Sequence, residues 1–191
     1  MDTKQKSEKQ NIRRFLLDRR DELYDEYEKR NNSHIHIKTF LENVEKCEIG
    51  SYHSFRSEIS TDPIHRFLSS LGFEISLPCI NDENSNMTFR SWKPNDELLK
   101  NKYGILQPKE NATKIDPKII LVPLVGFSLS GYRLGYGGGY YDRFIEKEKK
   151  ISDVITIGLG YSFQEFENLP YESHDQKLNW ILTEKYLYKV T

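Results

Sequence analysis

The sequence predicts an α/β protein: a single domain spanning residues 1–191, with three layers in which a mostly parallel sheet is flanked by helices. Two observations predict this class. Apolar, strand-like segments alternate with helical segments along the chain, as in proteins built from β-α-β units. In addition, the apolar run at residues 119–122, closed by Pro123, leads into a glycine-rich loop and then a helix. That order is typical of the ligand-binding edge of an open α/β sheet.

The composition restricts the classes of function. The formal net charge of −1 excludes a strong nonspecific attraction to nucleic acid. No apolar run approaches the ~20 residues that a membrane span needs, and the first residues lack the apolar core of a signal peptide. Cys47 and Cys79 are expected to be free buried thiols, as in a reducing compartment. We therefore expect a cytoplasmic protein that binds neither nucleic acid nor membrane. We also expect it to be a monomer.

The first predicted element is a long helix from residue 4 to about residue 30. One of its faces carries apolar side chains, namely Ile12, Leu16, Leu23 and Tyr27. Lys9 and Arg13 are four residues apart and therefore share a different face. Taken alone, this basic pair favours a solvated patch on an exposed helix. Residues 31–38 are predicted to form a turn and residues 40–44 a short helix.

The next segment predicts a β-α-β unit. Residues 47–52 and 73–78 are the two strands, and the helix between them starts at Thr61-Asp62-Pro63, with a capping side chain and then proline at the first helical position. Gly72 is placed to end this helix. Such a unit implies a parallel pair of strands with a right-handed crossover.

The remaining elements alternate in the same way. After the glycine-rich loop, Tyr141, Phe144 and Ile145 stand at helical spacing. The other predictions are an edge strand at residues 87–92, a helical turn at 96–102, a polar loop at 109–117, a buried strand at 154–159 and the last strand at 180–182.

The glycine-rich loop, residues 131–143, predicts phosphate binding. Six of the 11 glycines of the chain lie within it or just before it. Glycine is costly to order, but without Cβ atoms successive N–H groups can turn toward an anion. The helix that follows adds its positive amino end, and Arg133 adds a fork of donors. The loop is neither a Walker A motif nor the dinucleotide fingerprint, because no Gly-Lys-Ser/Thr follows and Tyr140 replaces the third glycine. A flexible surface loop is the alternative.

The loop and the preceding residues 122–127 resemble the motif of the 5-formyltetrahydrofolate cyclo-ligase family. Shorter matches follow in the same order along nearly the whole chain: Lys9-x-x-x-Arg13, residues 57–61, 104–108 and 158–161, His174-Asp175, and residues 181–184. The chain differs from the family pattern at two positions. Asn179 stands where a second aspartate usually follows Asp175, and Gly138 stands where some members carry lysine. The Asn179 difference bears on the expected metal site, although we expect Asn179 to be structural. The Gly138 difference removes a cation near the phosphates.

The resemblance implies a reaction and a set of residues. The reaction is the ATP- and Mg²⁺-dependent cyclisation of 5-formyltetrahydrofolate, with or without a polyglutamate tail, to 5,10-methenyltetrahydrofolate, with release of ADP and phosphate through a phosphorylated formyl intermediate. ATP would be bound by Lys9, Arg13, Arg133, Leu134, Gly135, Tyr136, Gly137, Gly138, Gly139, Tyr140 and Tyr141, with Arg133 also catalytic. The folate would be bound by His53, Glu58, Tyr103, Tyr136, Gly137, Gly138, Gly139 and Tyr140, and Mg²⁺ by Asp142 and Asp175.

Some of these residues also have simpler explanations. Asp142 could pair with the positive end of its own helix, and Tyr103 could pack in the core. Two other functions stay open at this point. A phosphosugar isomerase would need a base beside the loop but no ATP, and a nucleotide-sensing module would bind ATP without converting folate. Fold analogy does not separate these functions.

Overall fold

The structure is a computed structural model that describes residues 3–80 and 86–191. Its helices are α1 (Thr3–Glu28), α2 (Ser33–His36), α3 (Lys38–Leu41), α4 (Asp62–Ser70) and α5 (Tyr140–Glu148), with a 3₁₀ turn at Ser162–Gln164. Its strands are β1 (Glu48–Gly50), β2 (Glu74–Ile80), β3 (Met87–Trp92), β4 (Leu99–Lys100), β5 (Leu106–Gln107), β6 (Lys114–Ile115), β7 (Ile119–Pro123), β8 (Gly126–Phe127), β9 (Arg133–Leu134), β10 (Ile155–Leu159), β11 (Trp180–Leu182) and β12 (Leu187–Lys189).

Eight of these strands form one sheet, in the order β12-β11-β10-β7-β1-β2-β3-β6. The strands from β11 to β2 are parallel to one another, whereas β12, β3 and β6 pair antiparallel at the two sides. The hairpins β4–β5 and β8–β9 lie outside this sheet. The α/β class with a mostly parallel sheet is therefore confirmed, including the predicted parallel pair of β1 and β2.

The central strand β7 separates two layers of core. Ile119 and Leu121 pack with side chains from α3 and α4, and with one face of α1. Ile120 and Val122 point the other way and pack with Phe144 and other side chains of the second core. Successive side chains of a strand point to opposite faces, so a strand covered on both faces must be apolar throughout. This requirement explains why the predicted run of four apolar residues is so uniform.

Helix α4 ends as predicted but begins differently. Gly72 has a φ of +80°, and its N–H donates to the Ser69 carbonyl, as expected of a glycine after a helix. No side chain among the described residues caps this helix, and it begins at Asp62, so Pro63 is its second residue rather than its first. The Thr61 hydroxyl donates to the Tyr52 carbonyl at 2.9 Å. That bond instead ties the start of α4 to the segment that follows β1.

Four other predictions from the sequence are wrong. Residues 31–38 contain α2 rather than a turn, and residues 96–102 contain β4, which pairs with β5 instead of forming a helical turn. The strand at 87–92 is not at the edge because β6 pairs with it, and β12 follows the strand that was expected to be last. The short elements lack a periodic pattern of apolar residues from which they could be predicted, and contacts with distant parts of the chain determine them. Cys47 and Cys79 are both free, as predicted, but only Cys79 is buried, and Cys47 is half-buried. No helix in the described residues is long and apolar enough to cross a membrane.

His65 of α4 should make stability depend on pH. Its ring is buried, its Nε2 lies 2.8 Å from Ser51 Oγ, and burial lowers its pKa from 6.5 to about 4. Between these values the unfolded chain binds a proton that the folded protein does not, so stability falls as pH falls through this range. The shift corresponds to about 3 kcal/mol.

The free energy of unfolding of the wild type should fall between about pH 7 and about pH 4. We expect this fall to be smaller in His65→Gln, by most of that amount. Urea titrations at several pH values measure the difference. His174→Gln is the control, because the His174 side chain is 64% exposed. An identical pH slope in His65→Gln and the wild type would contradict the assignment.

Candidate active site

One cavity of about 780 Å³ lies at the carboxyl ends of β1, β2 and β7. The first turns of α1, the glycine-rich loop and the start of α5 complete its wall. This is the edge at which open α/β sheets bind ligands. Every residue predicted from the sequence to bind ATP, folate or metal lines this cavity: Lys9, Arg13, His53, Glu58, Tyr103, residues 133–142 and Asp175. The fold thus brings together residues that are up to 166 positions apart.

The glycine-rich loop turns toward α1. Gly137 and Gly139 have φ values of +100° and +65°, which other residues rarely adopt. The Arg13 guanidinium carbon lies 3.6 Å from the position that a Cβ on Gly137 would occupy, and Arg13 Nε donates to the Gly135 carbonyl at 2.7 Å. Gly139 precedes α5 directly, and in this part of the structure no side chain caps the helix. The first N–H groups of α5 are therefore available to an anion in the cavity.

Three cations stand at this end of the cavity. Lys9 Nζ lies 2.7 Å from Asp175 Oδ2 and 3.0 Å from Glu172 Oε1. Arg133 is buried and donates to Asp142 Oδ1 and to the Gln176 carbonyl, both at 2.9 Å. Lys9 and Arg13 do share a face of α1, but that face contacts other parts of the chain. The interpretation as a solvated patch is wrong, because the Lys9 side chain is only 12% exposed.

The two carboxylates predicted to bind metal both lie in the same wall. Asp142 accepts from Arg133 and from the Gln176 N–H at 3.0 Å, and Asp175 accepts from Lys9 and from the Glu172 N–H at 2.7 Å. No group of three His, Cys, Asp or Glu side chains in the described residues is arranged to hold a metal. Carboxylate oxygens nevertheless suit Mg²⁺, which usually takes one or two of them and completes its shell with phosphate and water. The residues present therefore fit such an ion only together with a phosphate ligand.

Asn179 lies away from the cavity wall. Its Oδ1 accepts from the Thr156 N–H at 2.8 Å and from the Thr156 hydroxyl at 2.9 Å, which links β10 to the start of β11. Its position in the structure supports the expectation that this residue is structural.

The opposite end of the cavity is built around Glu58. This residue is only 5% exposed, and its carboxylate accepts from the Phe55 N–H at 2.8 Å and from the Tyr136 hydroxyl. Burial raises the pKa of the Glu58 carboxyl; the Phe55 N–H, the charge of Arg20 and the Tyr136 hydroxyl act in the opposite direction. Burial also raises the pKa of Tyr136 to about 12, so its hydroxyl keeps its proton and donates.

Sequence analysis missed Arg20. This side chain is fully buried, donates to the Tyr136 hydroxyl at 2.6 Å and to Ser57 Oγ at 3.1 Å, and Ser57 in turn donates to Asp21. A signal was present: Arg20 lies four residues after Leu16 and three before Leu23, on the apolar face of α1. A charged residue on a core-facing stripe is rarely left without a partner.

Two aromatic rings meet at the cavity wall. The Tyr103 hydroxyl, from the turn between β4 and β5, lies 2.9 Å from the Tyr140 hydroxyl, and the ring centroids are 6.4 Å apart. Tyr103 is 49% exposed, so the interpretation of this residue as a core side chain is wrong. His53 also lines the cavity, and its Nδ1 lies 3.3 Å from the Ser54 carbonyl oxygen.

Comparison with known proteins identifies the family. The model of the 5-formyltetrahydrofolate cyclo-ligase family matches residues 5–184. The chain belongs to this family. It is 34% identical over 152 residues to the 5-formyltetrahydrofolate cyclo-ligase of Haemophilus influenzae, covering 77% of this chain and 81% of the relative. It is 31% identical over 135 residues to that of Escherichia coli K12, covering 68% and 74%.

Solved structures of the family have the same fold. The 5,10-methenyltetrahydrofolate synthetase of Aquifex aeolicus superposes with a TM-score of 0.75 at 26% identity, over 95% of this chain and 92% of that one. A synthetase from Mycoplasma pneumoniae, at 22% identity and a TM-score of 0.71 over 96% of this chain and 99% of that one, shows the same architecture. As a cyclo-ligase family member, the protein is an enzyme of the ligase class. This assignment removes the phosphosugar isomerase and the nucleotide-sensing module as alternatives.

A substitution at Asn179 tests whether this residue serves the sheet or the metal. We expect Asn179→Ala to lower the free energy of unfolding by about 1–3 kcal/mol, because it removes a hydrogen-bond partner of the buried Thr156 N–H, and to leave the Mg²⁺ dependence of ATP binding unchanged. Urea unfolding and calorimetry at several Mg²⁺ concentrations measure the two effects. Asp175→Asn is the comparison, with the larger effect expected on Mg²⁺. A changed Mg²⁺ requirement in Asn179→Ala would refute the structural role.

A second prediction concerns the charge of Arg20. Because this charge lowers the pKa of the Glu58 carboxyl, we expect Arg20→Met to raise that pKa and Arg20→Lys to raise it less. Carbon-13 NMR titration of labelled glutamate carboxyls, assigned with Glu58→Gln, measures the pKa. The exposed neighbour Arg19, changed to Met, is the control. A Glu58 titration curve that is the same in Arg20→Met and the wild type would show that the two groups are not coupled.

Proposed function

We propose that the protein catalyses the ATP- and Mg²⁺-dependent cyclisation of 5-formyltetrahydrofolate to 5,10-methenyltetrahydrofolate, with release of ADP and phosphate. The observation that carries this proposal is that one cavity, in a cyclo-ligase family member, joins a cationic end to a buried carboxylate end. The cationic end suits the phosphates of ATP, and the carboxylate end suits a ring with N–H donors. Its substrates are small molecules, and we include polyglutamylated folates among them.

The cationic end is suited to phosphoryl transfer. Such reactions depend on positioning and on neutralising negative charge more than on a protein nucleophile. Arg13, Lys9 and Arg133 supply positive charge from two directions, and the loop from Gly135 to Gly139 supplies backbone N–H groups. When Mg²⁺ is bound with ATP, it would add further neutralisation of the phosphates. Asp142 and Asp175 are the proposed protein ligands for it.

The chemistry follows from the poor reactivity of the formyl group. Its oxygen is a poor leaving group until it receives the γ-phosphoryl group of ATP. N10 of the folate then attacks the formyl carbon and loses its proton, and the oxygen departs as phosphate. We assign Arg133 to stabilise the charge of the transferred group, because its buried guanidinium lies at the cavity wall beside Asp142.

Glu58 is proposed to orient the folate. A carboxylate accepts two parallel hydrogen bonds, which matches the neighbouring N–H donors of the pteridine ring. Its fixed position, bonded to Phe55 and Tyr136, would set the direction in which the formyl group points. His53, Tyr103 and Tyr140 would line the remaining folate surface. The cytoplasmic location and the monomeric state stay predictions from the sequence.

The decisive test is the formation of methenyl-folate, followed by ultraviolet absorbance, with and without Mg·ATP. We expect product only when both 5-formyltetrahydrofolate and Mg·ATP are present. Absence of product from folded protein under these conditions would overturn the proposed function.

Variants at the two ends should separate the two substrates. We expect Arg13→Met to raise the KM for ATP by about 10- to 100-fold, since a hydrogen bond to a charged group contributes about 1.5–3 kcal/mol, and Glu58→Gln to raise the KM for the folate by a similar factor. Arg14→Met, at an exposed position beside Arg13, is the control. Arg133 is less suitable, because removing its buried side chain leaves Asp142 without its cation and also lowers stability. Equal effects of both variants on both substrates would contradict the assignment of the two ends.

A further inference from the structure

Two of the tyrosines that line the cavity have hydroxyls with no hydrogen-bond partner in the part of the chain that the structure describes. They are Tyr52 and Tyr141, and both hydroxyl oxygens are buried. The other unpaired buried side-chain atoms in the described residues belong to Arg20, His34, His65, Arg90 and Trp92, and none of these residues lines the cavity. A buried hydroxyl without a partner costs free energy, and most buried polar groups are paired. Two such groups in one cavity therefore point to a ligand that supplies the missing bonds.

Both tyrosines line the same cavity as Glu58, and the charge of Glu58 acts on both hydroxyls. Burial raises the pKa of Tyr52 well above its ordinary value, and the charge of Glu58 raises it further. The pKa of Tyr141 is raised by the same two causes in the same order. Both groups therefore keep their protons and are available as donors. Glu58 is an acceptor, so this end of the cavity offers one acceptor beside two donors.

That arrangement matches one edge of a 2-amino-4-oxopteridine. Along this edge the 2-amino group and N3–H are donors, and the oxygen on C4 next to them is an acceptor. Glu58 would take the donors, as in the proposed function. The oxygen would then lie where the two hydroxyls can donate to it.

We propose that the Tyr52 and Tyr141 hydroxyls donate hydrogen bonds to the 4-oxo oxygen of the pteridine and thereby select 4-oxo over 4-amino pteridines. This inference rests on the proposed function, because it places the pteridine at the Glu58 end. The hydroxyl of Tyr141 is thus assigned to the folate, while its backbone stays with the phosphate loop. A site built to hydrogen-bond one polar group discriminates against ligands that lack it, because its own buried groups then stay unpaired.

The test measures the binding of 5-formyltetrahydrofolate and of its 2,4-diamino counterpart by calorimetry without ATP, so that no turnover occurs. We expect Tyr52→Phe and Tyr141→Phe each to raise the Kd of the 4-oxo ligand about tenfold, as for the loss of one hydrogen bond, and to leave the Kd of the 4-amino ligand within about twofold. Tyr188→Phe, outside the cavity, should change neither. Both site variants should keep or raise the urea midpoint, since they remove an unpaired buried hydroxyl.

The outcomes separate this inference from the proposed function. If the wild type forms methenyl-folate but the phenylalanine variants bind both pteridines as the wild type does, the inference is overturned and the function stands. If the variants weaken only the 4-oxo ligand but no product forms with Mg·ATP, the function is overturned and the inference stands. Equal weakening of both ligands, a lowered urea midpoint, or no binding of the 4-oxo ligand by the wild type would each overturn the inference.

Discussion

The contact between helix α1 and the glycine-rich loop holds the site together. Arg13 donates to the Gly135 carbonyl, Arg20 donates to the Tyr136 hydroxyl, and Lys9 bonds to Asp175 beyond the loop. A loop with this many glycines has a large conformational entropy to lose on ordering. The rigid helix offsets that loss by fixing the adjacent residues Gly135 and Tyr136 at once. The same helix supplies cations, so the contact that orders the loop also places its positive charge.

The cost of this arrangement is the burial of charge. Arg20 is fully buried, and its Nη1 has no partner in the part of the chain that the structure describes. A buried cation is tolerated when hydrogen bonds and an opposite charge compensate it. Here the compensation is indirect, through the Tyr136 hydroxyl to Glu58 and through Ser57 to Asp21. Replacing any member of this chain of bonds leaves a buried charge without its hydrogen-bond partner, so the members act as a unit.

The sequence predicted the parts of the structure that have a local pattern. The strand β7, the loop and α5 follow from an apolar run, a glycine cluster and helical spacing, and the residues of the resembling motif do line one cavity. Strands of two or three residues, such as β6 and β12, have no such pattern and depend on the strand beside them. The Thr61 hydroxyl donates to the Tyr52 carbonyl, nine residues away, and no local pattern indicates this bond. Sequence analysis did not identify Arg20 or Tyr52 as site residues, because the residues that they interact with are far away in sequence.

The two ends of the cavity differ in how their polar groups are satisfied without ligand. At the cationic end Lys9 and Arg133 already have ion-pair partners: Lys9 has Asp175 and Glu172, and Arg133 has Asp142. A phosphate that binds to Lys9 or Arg133 exchanges existing bonds for new ones, so the net gain from each of these two residues is small, and Arg13 and the loop N–H groups contribute more of the affinity. At the Glu58 end the hydroxyls of Tyr52 and Tyr141 have no partner among residues 3–80 and 86–191, and a ligand that bonds to them breaks no existing bond. The unpaired hydroxyls lower the stability of the free protein, and the ligand restores that stability when it supplies their hydrogen bonds. Functional sites often trade stability for binding in this way.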